Sequence, residues 1–246
     1  MDPEWLDRYW ADELGCLPSA LYQGGVSIWA PPHRGEGRWM GWLIPLECIV
    51  VDTAPSGTGA ISITPHLADA LCGFFAQDGD PTSCLPPHGN MLLPFVREHL
   101  STGYPKVHRI LACDEKLFRP FAPTAPVLPL EPDNLHYEWY RYHFDGPVFI
   151  IRAPGGGIAS WAAIKCKSDE VWEMAVSTEP AFRGRGYARS VVSRATLAAL
   201  EAGKHPLYLH EISNHSSARV CNALGYRPYG YELTCETGRI PPIQRN

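Results

Sequence analysis

Apolar residues fall on a helical period most clearly in the second half of the chain, where Ala188, Val191, Val192, Ala195, Ala198, Ala199 and Ala202 succeed one another at offsets of three and four. That spacing lines one face of a helix for about four turns, and Gly203 stands where such a helix stops. Around it the pattern changes to short apolar runs. Val148 to Arg152 and Ile158 to Lys167 predict a hairpin about Pro154-Gly155-Gly156-Gly157, Val171 to Ser177 a third strand, and Leu207 to Ile212 a buried one. Ser213 or Asn214 can cap a second helix that ends at Leu224 and is stopped by Gly225. Tyr229 to Cys235 makes a last, antiparallel strand.

The first half is less regular. Asp2 can cap a short helix with Pro3 at its first position, Trp5, Leu6, Tyr9 and Trp10 on one face, and Gly15 at its end. Runs at Val26 to Trp29, Trp39 to Ile44 and Cys48 to Val51 read as strands, with the prolines and glycines of 31–37 as a hairpin loop. Thr64-Pro65 opens a helix carrying Leu67, Leu71, Phe74 and Phe75. A loop rich in Pro, Gly and Asp covers Asp78 to Gly89, followed by a helix around Leu92 to Leu100 and a strand at Val107 to Ala112. Together these make a small α/β lobe with no recognisable catalytic motif.

Between the halves Pro120, Pro123, Pro126, Pro129 and Pro132 recur every third residue, the period of polyproline II. The segment reads as a linker or strap, or else as an edge strand, since Val127-Leu128-Pro129-Leu130 could pair along one side. The expected domains are an N-terminal lobe over 1–119, a Pro-rich linker over 120–132 and a second domain over 133–246.

Composition narrows the classes of function. Of 246 residues 45% are hydrophobic and 19% charged, which suits a globular chain and argues against intrinsic disorder. No apolar run approaches the roughly 20 residues of a membrane-spanning helix, so no membrane partner is expected. The acidic start Met1-Asp2-Pro3-Glu4-Trp5 lacks the basic-then-apolar order of a secretory or transit signal, and a cytoplasmic location is the expectation. The eight cysteines include no C-x-x-C pair, so they read as reduced buried thiols and no metal is expected. The net charge of -5 is uneven: residues 1–126 hold 8 Lys and Arg against 14 Asp and Glu, the remainder 13 against 12. An acidic first half speaks against a nucleic-acid partner and mildly for a cationic or amine substrate.

The chemistry sits in Pro180-Ala181-Phe182-Arg183-Gly184-Arg185-Gly186-Tyr187-Ala188, between the third strand and the long helix. Such a turn points successive backbone N–H groups outward at the positive end of a helix dipole, and Gly184 and Gly186 remove the Cβ atoms that would hold a ligand away. It is a cradle for a phosphate or pyrophosphate. A dinucleotide fingerprint would need glycine at Arg189, and no Gly-x-x-x-x-Gly-Lys-Ser/Thr loop exists.

Arg183-Gly184-Arg185-Gly186-Tyr187-Ala188 resembles the R/Q-x-x-G-x-G/A signature of the GNAT (GCN-five-related) N-acetyltransferases, in the same place between a central strand and a helix. Asn214, Ser217, Gly225 and Tyr226 are similar to that family's second motif: an asparagine after the next strand, a small residue three on, and a Gly-aromatic pair closing the next helix. The turn alone is a weak signal; two motifs separated by one helix and one strand are a specific one. The likeness covers about 130–240, and the first half matches only loosely the degenerate half of two-lobed members. It implies an α/β fold: a C-terminal GNAT-like mixed, mostly antiparallel sheet with flanking helices, plus a smaller N-terminal α/β lobe.

The resemblance further implies acyl transfer from acetyl-CoA, as cosubstrate, to an amine. The N–H groups from Gly184 to Arg189 would bind the CoA pyrophosphate in the turn that Arg183 opens, with Arg185 and Arg189 adding charge or else lying solvated at the helix start. Main-chain groups of Ala175, Val176 and Ser177 would meet the pantetheine arm in a slot between diverging strands, the amide near Val176 polarising the thioester carbonyl. Asn214 would face the arm from the other side, or simply cap its helix. Glu173 is the expected base or, equally, a strand residue paired with a neighbour, with His210 and Glu211 in reserve. Where many members carry a proton-donating tyrosine this chain has Cys221, whose thiol could serve or be core; Tyr226 and water are the other donors.

Tyr137, Trp139, Tyr140, Tyr142 and Phe144 could line an amine pocket or pack beneath the Pro-rich segment. The acidic, tryptophan-rich first lobe (Trp5, Trp10, Trp29, Trp39, Trp42) is a further expected wall. The expected function is acyl transfer to a primary amine of a small molecule by a monomer or homodimer. The alternatives are an inactive acyl-CoA-binding protein and a protein N-terminal or lysine acetyltransferase.

Overall fold

The computed structural model describes residues 4–34, 38–39, 42–50, 57–78, 81–86, 92–100, 105–131, 139–140 and 143–236. The expected Asp2-Pro3 helix start, the strand end at Val51, the loop end at Gly89, and Pro132, Tyr137 and Tyr142 lie outside these residues. The chain divides into two compact units, one of 110–228 and one of 2–109 with 229–246.

In the unit of 110–228 the elements follow the apolar pattern closely. A short strand β7 (Leu128–Pro129) precedes β8 (Val148–Arg152), β9 (Ile158–Cys166) and β10 (Val171–Thr178); helix α4 (Tyr187–Glu201) leads to β11 (His205–Glu211) and helix α5 (His215–Ala223). These strands lie in the order β11-β10-β9-β8-β7, with β10 parallel to β11 and the other pairs antiparallel. Helix α4 buries Val191, Val192, Ala195 and Ala199 against Phe149, Ile151, Ala162, Ile164 and Met174, and Cys221, Leu224 and Tyr226 complete that core. Gly203, at φ 67°, closes α4: Lys204 N–H donates to Ala199 O at 2.8 Å, the six-to-one bond of a left-handed helix stop. Gly225, at φ 95°, does the same for α5, and a Cβ there would meet Leu117 O at 1.9 Å.

The Pro-rich segment does not divide the molecule. Leu128–Pro129 pair antiparallel with Ile150 and Phe149, the edge-strand alternative, while Phe121, Ala125 and Val127 pack against the core of 110–228. The divisions fall instead at 109/110 and 228/229, so 120–131 belongs within a unit and the end of the last strand groups with the first lobe. The physical reason is that Leu130 is buried and Phe121, Ala125 and Val127 pack, partly buried, against the same core as α4.

In the other unit, helix α1 (Glu4–Leu14) precedes strands β1 (Val26–Trp29), β2 (Arg38–Trp39), β3 (Trp42–Leu43), β4 (Leu46–Val50) and β5 (Gly59–Ile63). Helices α2 (Ala68–Asp78) and α3 (Leu93–His99), strand β6 (Pro105–Ala112) and strand β12 (Arg227–Cys235) follow, the last three residues of β6 and the first two of β12 belonging to the unit of 110–228. The order β1-β5-β4-β12 has β1 parallel to β5 and β12 antiparallel to β4. Alternation splits β4: Leu46 and Cys48 join Leu71, Phe95, Val96, Leu233 and Cys235 in one core, while Glu47 turns to the other face. There buried Arg34 holds Glu47 at 2.6 Å and Ser62 at 2.8 Å and also reaches Glu13 O.

Three expectations change here. The prolines and glycines of 31–37 do not join β1 into a hairpin, because β1 pairs with β5. The run from Trp39 to Ile44 is two short strands paired with each other, Trp39 opposite Trp42. Strand β5, every residue of it buried, has no counterpart among the expected elements.

Candidate active site

Gly184 and Gly186 adopt φ of 76° and 80°, so the turn leaves β10 and enters α4 through two left-handed residues. The first bond inside α4 is Ser190 N–H to Gly186 O at 3.0 Å, so the amides of Tyr187, Ala188 and Arg189 precede the first intrahelical donor. These amides, the helix dipole and the two missing Cβ atoms form one wall of a groove of about 820 Å³ that Arg183, Gly184, Gly186, Tyr187, Ala188 and Arg189 line. Arg185 does not line it: its guanidinium bonds Ala181 O at 3.3 Å and lies 5.2 Å from the centre of the Phe182 ring. Arg183 donates through Nε to Thr178 O at 3.2 Å, which ties the turn back to the strand it left.

The opposite end of the groove is made by parting strands. The ladder between β10 and β11 ends at Met174–Tyr208, while the strands run on to Thr178 and Glu211. Which way the freed backbone points follows from the other side of β10. Lys167 N–H bonds Val171 O and Glu179 N–H bonds Ala159 O, both at 2.9 Å, so Val171, Glu173, Ala175, Ser177 and Glu179 address β9. By alternation Val176 turns its N–H and C=O towards the opening, and Thr178 likewise. Val176, Ser177 and Thr178 line the groove; Ala175 faces β9 with its backbone and does not.

Helix α5 supplies the third side through Asn214, Ser216, Ser217 and Arg219. Asn214 is its N-cap, its Oδ1 accepting Ser217 N–H at 3.0 Å, so the capping role is present while the residue also lines the groove. Ser217 Oγ lies 2.8 Å from the hydroxyl of Tyr208, a fully buried residue of β11.

A brace holds the turn from behind. Thr124 Oγ1 donates to Arg185 O at 2.9 Å, Thr124 N–H to Ser190 Oγ at 3.3 Å and Phe121 N–H to Ser193 Oγ at 2.9 Å. The Arg189 guanidinium stacks 4.0 Å above the Phe121 ring. The Pro-rich segment therefore fixes the glycine turn and the start of α4.

The residues expected to move protons are placed less simply. Glu173 is buried and ion-paired to Lys165 Nζ at 2.5 Å, on the face it shares with Ala175 and Ser177 and away from α4. Cys221 lies wholly in the core, bonds Ala218 O at 3.3 Å, does not line the groove, and burial pushes its thiol up to about 11. Tyr226 is equally buried, its hydroxyl 2.8 Å from Thr196 Oγ1, and burial raises its phenol well above its ordinary value. Both expected donors are thus core residues, because their helix face and closing turn point inward. His210 shares a face with Tyr208, its Nδ1 2.8 Å from Glu211 O, and Glu211 is exposed at the strand end.

Of the expected aromatic set, Tyr140 and Phe144 are buried, each ring 5.3 Å from Trp161 of β9, and Trp139 remains half exposed beside them. Packing is their observed role. Sequence reasoning missed Lys165, Tyr208 and the Thr124 brace. Lys165 was within reach, since the hairpin register sets it opposite Glu173.

Among the described residues no cluster of three or more His, Cys, Asp or Glu side chains could hold a metal ion, and no helix is long and apolar enough to cross a membrane. Residues 162–235 match the FR47-like protein family. No curated protein matches the chain. Among solved structures it is similar to a GNAT-family protein from Novosphingobium aromaticivorans, with 18% identity, 56% of this chain and 66% of that one covered, and a TM-score of 0.47. It is similar too to a GCN5-related N-acetyltransferase from Kribbella flavida (20%, 59% and 63%, 0.43) and a GCN5-related N-acetyltransferase-like protein from Streptococcus suis (16%, 72% and 78%, 0.49). The chain spans just under two thirds of the first two. The FR47-like match takes in β10, the glycine turn, α4, β11 and α5, and with them the residues that line the groove.

Proposed function

We propose that the protein is an acyl-CoA-dependent N-acyltransferase that moves an acetyl group from acetyl-CoA directly to a primary amine of a small molecule. The observation that carries this reading is the convergence on one groove of the glycine turn, the freed backbone of Val176 and the capped start of α5.

Acetyl-CoA supplies an acyl group activated as a thioester. The amides of Tyr187, Ala188 and Arg189 and the Arg183 and Arg189 guanidinium groups suit its pyrophosphate. The N–H of Val176 is directed to receive the thioester oxygen as charge develops there, a contribution of about 3 kcal/mol for one such donor. Glu173, through water, is the group to take the proton that the amine loses, and Lys165 offsets the cost of keeping that carboxylate charged while buried.

The test is calorimetric titration with acetyl-CoA, followed by thiol release with and without a panel of amines. Binding with amine-dependent release is expected, and Glu173→Gln should lower turnover by a factor of about 100 or more while acetyl-CoA still binds. Binding without release from any amine would favour an acyl-CoA-binding protein, a reading for which the burial of Cys221 and Tyr226 is the specific support. Absence of binding would reduce the glycine turn to a helix start and end the proposal.

A further inference from the structure

With Cys221 and Tyr226 in the core, the question is what meets the sulfur that leaves. This inference rests on the acyl-CoA reading above. In the transfer a C–N bond forms, the C–S bond breaks and its electron pair goes to sulfur, while the amine's proton departs through Glu173 and water. Sulfur therefore leaves as an anion, and a hydrogen bond at that atom lowers the barrier without any further proton being moved.

Ser217 stands on the first turn of α5 and lines the same groove as Val176. Its backbone is pinned by the Asn214 cap at 3.0 Å, and its Oγ by the Tyr208 hydroxyl at 2.8 Å. Tyr208 is fully buried, its ring edge-on to Tyr226 at 5.4 Å. Burial raises its phenol, so Tyr208 stays neutral and carries a hydrogen that must be donated, with Ser217 Oγ as its acceptor. Ser217 then has its own hydrogen left for a ligand in the groove.

The geometry points to Ser217 as the catalytic residue that hydrogen-bonds the departing CoA sulfur, and to Tyr208 as the positioning residue that sets the direction of the Ser217 hydrogen. Serine is too weak an acid to surrender its proton to a thiolate. The thiolate leaves with CoA and is protonated by water.

The test reads the sulfur directly and needs no acceptor. The protein is titrated calorimetrically with CoA and with desulfo-CoA from about pH 7 to about pH 10, across the ordinary thiol range. If Ser217 stabilises the bound thiolate, CoA affinity rises with pH by about tenfold relative to desulfo-CoA, the size expected of one hydrogen bond to an ion. Ser217→Ala should flatten that rise and Ser217→Thr restore it. Tyr208→Phe, checked by desulfo-CoA binding for an intact fold, should lose part of it. An equal rise in the protein and in Ser217→Ala overturns the proposal and leaves the acyl-CoA reading standing. An unchanged rise in Tyr208→Phe removes the positioning role. Failure to bind either ligand overturns the acyl-CoA reading and this inference with it.

Discussion

At the scale of the residue, two glycines of the same turn answer to different physics. Gly184 has open space where a Cβ would go, whereas a Cβ at Gly186 would meet Thr124 at 3.3 Å, and both hold positive φ. Gly184→Ala is therefore expected to cost about 1 kcal/mol of backbone strain alone, and Gly186→Ala more, since it also presses on the brace. Denaturant midpoints of the two variants check the order. Arg34 gives a larger effect: Arg34→Leu would leave Glu47 charged and buried, with an expected loss of about 3 to 5 kcal/mol. Cys221 offers a chemical check, because a thiol raised to about 11 is almost wholly protonated near neutrality. Alkylation of the native protein near pH 8 should label Cys72, exposed on α2, and spare Cys221 until the chain unfolds. Motif spacing put Cys221 at the position of a proton donor, but spacing counts residues along a helix, and it is the side of the helix that decides what a residue touches.

At the scale of the element, legibility follows from where the partner of each residue lies. Helix α4, its stop at Gly203 and the cap at Asn214 were readable because period, stop signal and cap are local to the chain. Strand β5, Gly-Ala-Ile-Ser-Ile, has only two β-branched apolar residues, and its ladder partners are Val26 to Trp29 and Leu46 to Ile49, so nothing local marked it. Ser193 and Thr196 interrupt the apolar face of α4 yet are buried; their partners are Phe121 and Tyr226, each at least thirty residues away. Ser193→Ala is expected to strand the Phe121 N–H and cost about 1 to 3 kcal/mol. Its acetyl-CoA affinity should fall as well, because the brace that holds the turn is loosened. Parallel calorimetry and denaturation of that variant separate the two effects.

For the whole molecule, eight cysteines without a pairing pattern become a statement about pH. Cys16, Cys221 and Cys235 are pushed by burial from 9.0 to about 11, and Cys113 to about 12. An unfolded chain gives up these thiol protons near 9.0, whereas the folded chain keeps them. Stability is therefore full below that value and falls as pH rises from about 9 to about 12, where the unfolded state binds fewer protons. Urea midpoints at neutral pH and across that window should show the decline. The division into units adds a lesson about reading boundaries. Five prolines at a regular period marked the expected linker, yet apolar residues between them bind that segment to one core, and contacts outrank composition in deciding where a unit ends.

The prolines also leave few amides in the brace, and the two that hold α4 follow Pro120 and Pro123 directly. Their protons can exchange with solvent only when the strap lifts from the helix. A ligand seated on the turn is bound to the strapped form, so occupancy and strap opening are thermodynamically linked. Hydrogen exchange at Phe121 and Thr124 should slow about a hundredfold at a ligand concentration one hundred times its dissociation constant. Two backbone protons that never touch CoA would then report how full its groove is.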